Sequence, residues 1–399
     1  MISHADGYRV WDVDGREFVD ASSLSSTCGY GRPELIRAVD RQTSMLHGLD
    51  LSVSTHEPAG LLAERIASYL SDEFRKTLFV NSGSEALEAA MNMANAYWAN
   101  IGEPRSRVVA LRRGYHGSTL MTRSLSGLPR VGHSFTAPLP VTFVDLPGDP
   151  AEVRRADSLP LLVAAFEEAI GDTAGGPPAA VLVEPFLNVG GGVVMPPGFL
   201  YELRRLCDAA ETLLVLDEVF TGYGRAGRMF ACQREQVEPD VLVTSKGLSG
   251  GYVPIGAVTV RQHVYDSFAQ ESVIGGLRYG HTTSGHAVAC VAALATLDVV
   301  EKENLPERAE QFGTLLVDRL APLAGKGDVV DVRGLGLIVV LEMTSAAAAD
   351  GLMNSAYDWG LLLRQQTEAV MAVPPLTIDE AGVGLVAERI EQSVLADRG

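Results

Sequence analysis

Between about positions 60 and 290 the chain repeats one pattern: a short apolar run, a polar residue at or just past its end, then a longer stretch with helical spacing. Seven runs fit it, at 77–80, 107–111, 141–145, 180–184, 213–217, 241–244 and 255–260. Strands apolar along their whole length are buried on both faces, and helical stretches between them supply the crossovers that parallel neighbours need. The expectation is an α/β fold with a mostly parallel, helix-covered sheet. In open sheets of this kind ligands bind beyond the carboxyl ends of the strands, so the polar residues closing the runs are the first functional candidates.

The flanking sequence reads differently. Asp14-Gly15 lies between two alternating runs over 8–20, a hairpin signal. A helical run over 288–303 is followed at 329–341 by two short strands bent at Gly334 and Gly336. The division expected is 1–55 as an N-terminal segment of a smaller α+β domain, 56–290 as the large domain and 291–399 as the rest of the small one.

With 399 residues, 47% hydrophobic, the chain can bury a large core. Fifty acidic residues against 32 basic ones give a net charge of −18, which repels a phosphate backbone and argues against nucleic acid as a partner. Cys28, Cys207, Cys232 and Cys290 show no C-x-x-C spacing, so no metal site is expected, and they read as buried thiols in a reducing compartment. The first residues lack a basic segment followed by an apolar one, and no apolar stretch approaches ~18 residues. No membrane association is expected, and the location expected is cytoplasmic.

Lys246 follows the run at 241–244 and precedes Gly247, Gly250 and Gly251, glycines that would let a bulky ligand lie against the backbone. A lysine at the mouth of a buried strand suits Schiff-base chemistry, although a solvated loop carries lysines too. Asp217 closes the run at 213–217; beside a pyridine ring its carboxylate would keep the ring nitrogen protonated and make the ring an electron sink. Asn81-Ser82-Gly83-Ser84-Glu85 turns from a strand into a helix, which either aims free N–H groups at a phosphate or is an ordinary N-cap. Tyr115 and His116 follow another strand, where either ring could stack on a cofactor or simply pack. Gly222 to Gly227 fits the dinucleotide fingerprint G-x-G-x-x-G. It starts five residues past its strand, however, and no helix with an apolar stripe follows.

Taken in order, Gly83-Ser84-Glu85-Ala86-Leu87-Glu88, Tyr115-His116-Gly117, Glu184-Pro185, Asp217 to Arg225, Ser245-Lys246-Gly247 and Gly280 to His286 resemble the class III aminotransferases, pyridoxal-phosphate enzymes of fold type I. The resemblance runs from the first hairpin to Pro374-Pro375-Leu376. It implies a large, mostly parallel seven-stranded sheet domain with helices on both faces and a smaller α+β domain drawn from both termini. It makes Lys246 the Schiff-base lysine and Asp217 the partner of the pyridine nitrogen. Ser82, Gly83 and Ser84 would hold the phosphate, with Thr282 reaching it from a neighbouring subunit of a homodimer whose sites are shared. Tyr115, with His116 beside it, would cover one ring face and Val219 the other. The implied function is ping-pong transfer of an amino group from a small-molecule amine or amino-acid donor to a ketone or aldehyde acceptor. The alternative within the same fold is an aminomutase, a racemase or a decarboxylating relative.

Two positions depart from the best-known members. Val189 stands where relatives acting on ornithine carry a glutamate, and Phe220 where relatives acting on 4-aminobutyrate carry a glutamine. Arg364 resembles the substrate-carboxylate arginine of the omega-amine group, and its fork suits a carboxylate. Arg364 and Phe220 are thus the candidate substrate residues. The leader before the first hairpin is short, and the more open pocket this implies would suit a large acceptor such as a biosynthetic intermediate.

Overall fold

The computed structural model describes residues 1–129, 131, 139–172 and 174–396. Its main sheet has seven strands in the order Phe74–Val80, Gly256–Arg261, Val241–Thr244, Leu213–Asp217, Ala180–Val183, Val108–Leu111 and Val141–Val144. The strand Gly256–Arg261 runs antiparallel to both of its neighbours, while the other pairings are parallel. An apolar run carries no mark of direction, so this reversal was hidden in the sequence.

Alternation along the strands explains the two layers of helices. Leu214, Leu216, Val181 and Val183 point into a core with Phe166, Phe199 and Leu203 from the helices Leu159–Gly171 and Phe199–Ala209. Leu213, Val215, Val241 and Val243 point the other way, against Ala86, Leu87 and Ala90 of the helix Gly83–Asn100. Each fully buried Leu or Val contributes roughly 1.5–3 kcal/mol, so both faces must stay apolar along the whole run.

The two ends of the chain share a third core. The hairpin strand Glu17–Asp20 pairs in parallel with Leu361–Leu362, and Val19, Ala21, Cys28 and Leu35 pack with residues of 299–394. Val329–Gly334 and Val339–Met343 pair antiparallel, and Ala369–Ala372 and Arg364–Gln366 extend their sheet. The bend between the first two needs Gly336, which sits at φ +51°, where an added Cβ would stand 2.4 Å from the Arg225 carbonyl oxygen. All four cysteines are buried free thiols. No helix among the described residues is long and apolar enough to cross a membrane.

The stretch from Gly222 to Gly227 is not a nucleotide loop. Only the short 3-10 turn Ala231–Arg234 follows it, and the Tyr223 hydroxyl meets Thr244 Oγ1 at 2.9 Å inside the core. Strand register aligns the carboxyl edge of the sheet. Leu216 lies opposite Val183 and Asp217 opposite Val243, so Glu184, Asp217 and the segment leading to Lys246 emerge at one level on three adjacent strands.

Candidate active site

At that edge lies a cavity of about 510 Å³, within the ~300–1,000 Å³ usual for small-molecule sites. Its lining includes Ser82, Gly83, Ser84, Tyr115, His116, Asp217, Val219, Phe220, Lys246 and Arg364, residues that span nearly three hundred positions of sequence. Leu24 and Gln366 join them from the terminal segments, so the cavity lies where the main sheet meets the unit built from both chain ends.

Lys246 opens a short 3-10 turn, Lys246–Ser249, directly after the buried strand. Among the described residues its amine has no hydrogen bond or ion pair. Burial pulls the Lys246 ammonium below its ordinary range; Asp217 and Glu184 oppose that shift and Arg364 adds to it. The glycines after it serve a different purpose from the one the sequence suggested. Positions for a Cβ on Gly247 and Gly251 lie 3.0 Å from Thr27 Oγ1 and from Ser25 Oγ, and none of Gly247, Gly250 and Gly251 lines the cavity. They let the N-terminal segment close over the turn rather than let a ligand approach.

Asp217 is buried with its Oδ1 accepting the Val219 amide (3.1 Å) and its Oδ2 at 2.9 Å from His116 Nδ1. The imidazole expected to share ring stacking lines the cavity and is held there as Asp217's partner. It fits there because Gly114 has no Cβ, which would lie 2.8 Å from Nε2. Tyr115 stays half-buried at the rim. Glu218, one residue on, faces the opposite way and accepts the amides of Ala231 and Cys232 and the Thr221 hydroxyl, a structural task.

The helix Gly83–Asn100 points its N-terminus into the cavity, and its first-turn N–H groups favour an anion. The two readings of this turn are compatible here. The Ser82 hydroxyl is the N-cap, accepting the Glu85 amide at 3.2 Å, while Gly83 and Ser84 line the cavity. Ser84 Oγ also accepts the Ser118 amide (3.1 Å), and Val219 Cγ1 lies 3.0 Å from where a Gly83 Cβ would be. A helix N-terminus, Val219, a buried carboxylate and an amine around one cavity of about 510 Å³ fit pyridoxal phosphate. Thr282 is exposed and outside the lining of its own chain's cavity. Phe220 lines the cavity and is buried against Phe186, its ring centroid 5.9 Å away.

Glu184 stands out in the sequence only as part of a Glu-Pro pair. It is buried, lines the cavity, and its Oε1 accepts the Tyr115 amide at 2.9 Å. The available signal was that two adjacent parallel strands both end on an acid. Burial pushes the Glu184 carboxyl up to about 7; His116 opposes the rise, Asp217 adds to it, and the Tyr115 amide and Lys246 oppose it. Because the folded value is raised from 4.5, the stability contributed by the neutral carboxyl is fully present below about 4.5 and is lost as the pH climbs to about 7. Glu184→Gln cannot ionise. Its Tm relative to the unmodified apoenzyme should rise across that window, and a constant difference in Tm would rule the titration out.

The sequence of residues 1–394 matches the family model described as aminotransferase class-III. The chain is 31% identical to the adenosylmethionine-8-amino-7-oxononanoate aminotransferase of Anoxybacillus flavithermus, over 98% of this chain and 91% of that protein. It is also 31% identical to the omega-aminotransferase of Caulobacter vibrioides, over 98% and 92%. Among solved structures, an amine transaminase from an uncultivated Pseudomonas species, in a PLP-bound form, superposes with a TM-score of 0.94 at 30% identity, covering 99% of this chain and 94% of that one. These relatives are all named as aminotransferases or transaminases, which disfavours the aminomutase, racemase and decarboxylase alternatives. A match along nearly the whole chain, joined to a cavity suited to pyridoxal phosphate, means that this protein belongs to the class-III aminotransferases, pyridoxal-phosphate enzymes that transfer amino groups.

Proposed function

We propose that the chain is a transaminase of the omega-amine type or a biosynthetic tailoring enzyme, acting as a cytoplasmic homodimer with shared sites. Residues 56–290 would carry the cofactor, and 1–55 with 291–399 would cover it. One observation carries this reading: the Lys246 amine and the Asp217 carboxylate share a cavity with an open helix N-terminus.

Bound pyridoxal phosphate supplies an electron sink for the pair of electrons left when a proton is removed from the carbon bearing the amino group. Asp217 would keep a proton on the ring nitrogen, and His116 fixes the carboxylate through Nδ1. The backbone amides of Gly83 and Ser84 would anchor the phosphate, and Val219 and Tyr115 would hold the ring. Lys246 is the residue that would hold the cofactor in the resting enzyme. Its neutral Nζ would take the proton from the donor carbon and return it in the course of transfer, a task suited to an amine whose pKa burial has lowered. The deaminated donor leaves before the acceptor enters. Thr282, exposed and away from its own cavity, is available to a neighbouring copy's phosphate site.

Arg364 would bind a substrate carboxylate from the cavity wall. A donor screen tests the reading by following nitrogen from donor to acceptor, in the parent enzyme and in Arg364→Ala. Transfer should be stoichiometric. Carboxylate-bearing donors should lose about tenfold to a hundredfold in kcat/KM in the variant, from a lost charge-assisted hydrogen bond of about 1.5–3 kcal/mol, and more than plain amines lose. Carboxylate donors that react equally well in the variant would remove Arg364 from this role, and product formed without a second substrate would remove the transaminase reading.

A further inference from the structure

Val189 lines the cavity, half-buried, at the head of a turn that continues as three glycines, Gly190, Gly191 and Gly192. The strands this turn joins, Phe186–Leu187 and Val193–Val194, have only two residues each. Gly191 and Gly192 sit at φ +110° and +61°, and glycines have no side chain by which to anchor the backbone. Their neighbours leave no room for one. A Cβ on Gly190 would lie 2.3 Å from the Arg113 carbonyl oxygen, and one on Gly192 would lie 2.9 Å from the Val340 methyl carbons. Inside the turn the Asn188 carbonyl accepts the amides of Gly191 (3.4 Å) and Gly192 (3.2 Å), both long contacts.

The firm hold comes from outside, from Arg333 on the strand Val329–Gly334. Arg333 is fully buried and does not line the cavity. Its Nε donates to the Gly192 carbonyl (2.8 Å) and its Nη2 to the Gly191 carbonyl (2.9 Å). The rest of the guanidinium meets two acids: Nη1 donates to Asp331 (3.2 Å) and Nη2 to Glu342. Asp331 also accepts from Arg154, just past the short helix Pro150–Val153. A buried guanidinium is tolerated only when its donors are well paired, and its planar fork fixes where two consecutive carbonyls must lie.

We propose that Arg333 is a positioning residue for the substrate wall of the cavity: by clamping Gly191 and Gly192 it holds Val189 in place, and so governs the shape of the amine or carbonyl compound that fits. The assignment rests on the transaminase reading of this cavity. The groups assigned to cofactor and proton stand on other elements. Asp217 ends the strand Leu213–Asp217, Lys246 follows Val241–Thr244, and Gly83 opens its own helix. Tyr115, two residues past Arg113, has a separate tie through its amide to Glu184. Loosening the turn therefore acts on substrate binding and leaves the chemical step and the cofactor alone.

The test uses the holoenzyme of Arg333→Lys and Arg333→Met with straight-chain and branched alkylamines and amino acids matched in heavy-atom count. Lysine keeps the charge but brings three N–H groups to four acceptors. In both variants the KM of the preferred shape should rise about tenfold with kcat held within about twofold, and the preference between shapes should narrow. Cofactor affinity in an apoenzyme titration and the spectrum of the bound cofactor should match the parent. In a Val189→Ala background Arg333→Lys should raise KM no further, because the wall through which it acts is gone. Unchanged KM values or an unchanged preference in a folded variant would overturn the assignment, as would an effect of equal size with and without Val189. If neither variant folds, Glu342→Gln decides, since it keeps its shape while removing one anion from the fork: a smaller rise in KM supports the assignment and none overturns it. Failure of every donor in the parent enzyme would instead bring down the transaminase reading, and this assignment with it.

Discussion

Lys246→Ala should lower kcat by at least about 10⁴-fold, because one substitution removes both the covalent anchor of the cofactor and the base that moves the proton. The Lys246 amine lies in the cavity with burial holding it below its ordinary pKa, and no neighbouring group can take its place. The carboxylates facing it, Asp217 and Glu184, are committed to His116 and to the Tyr115 amide. Arg364 is a guanidinium that does not release its proton. The fold should survive, since the glycines after Lys246 pack against Ser25 and Thr27 whatever side chain stands at 246. Stopped-flow measurement of donor consumption, with near-ultraviolet spectra of the cofactor, checks both parts. A variant retaining even a hundredth of the parental rate would contradict the assignment.

Asp217→Asn should cost about 10²–10³-fold in kcat, the range found when one preorganised electrostatic contact to developing charge is removed. The change is nearly isosteric, and the amide oxygen can still accept from His116 Nδ1 or from the Val219 amide, so the cavity should keep its shape. What is lost is the negative charge that keeps the ring nitrogen protonated. Cofactor should still bind through the helix N-terminus at Gly83 and Ser84. Steady-state kinetics together with a cofactor titration separate the two effects. Loss of rate with cofactor retained is the expected outcome, and a loss below tenfold would mean that the carboxylate does not act on the ring.

The apolar runs made the main sheet legible because its strands are buried on both faces, and the strands Leu213–Asp217 and Val241–Thr244 have the bounds their sequence suggests. The pair Asp217 and Lys246 was legible for the same reason, since a polar residue closing such a run has to face an edge or a cavity. Side-chain partners were not. His116 reads as a stacking ring because nothing local says that Gly114 leaves room for it to turn towards Asp217. Glu184 looks like half of a motif until strand register sets it level with Asp217. Arg364 and Gln366 lie in the last tenth of the chain and reach the cavity through a sheet built from the C-terminal segment, a juxtaposition no local pattern encodes.

Every role assigned to the cavity depends on the cofactor being carried on one particular lysine, and the sequence makes that simple to test. The chain has only four lysines, Lys76, Lys246, Lys302 and Lys326. Borohydride reduction of the holoenzyme fixes the cofactor to the lysine that holds it, and peptide mass spectrometry then reports which one that is. The added mass should appear on the peptide containing Lys246 and on no other. Cofactor fixed to Lys76, Lys302 or Lys326, or to no lysine at all, would contradict the assignment.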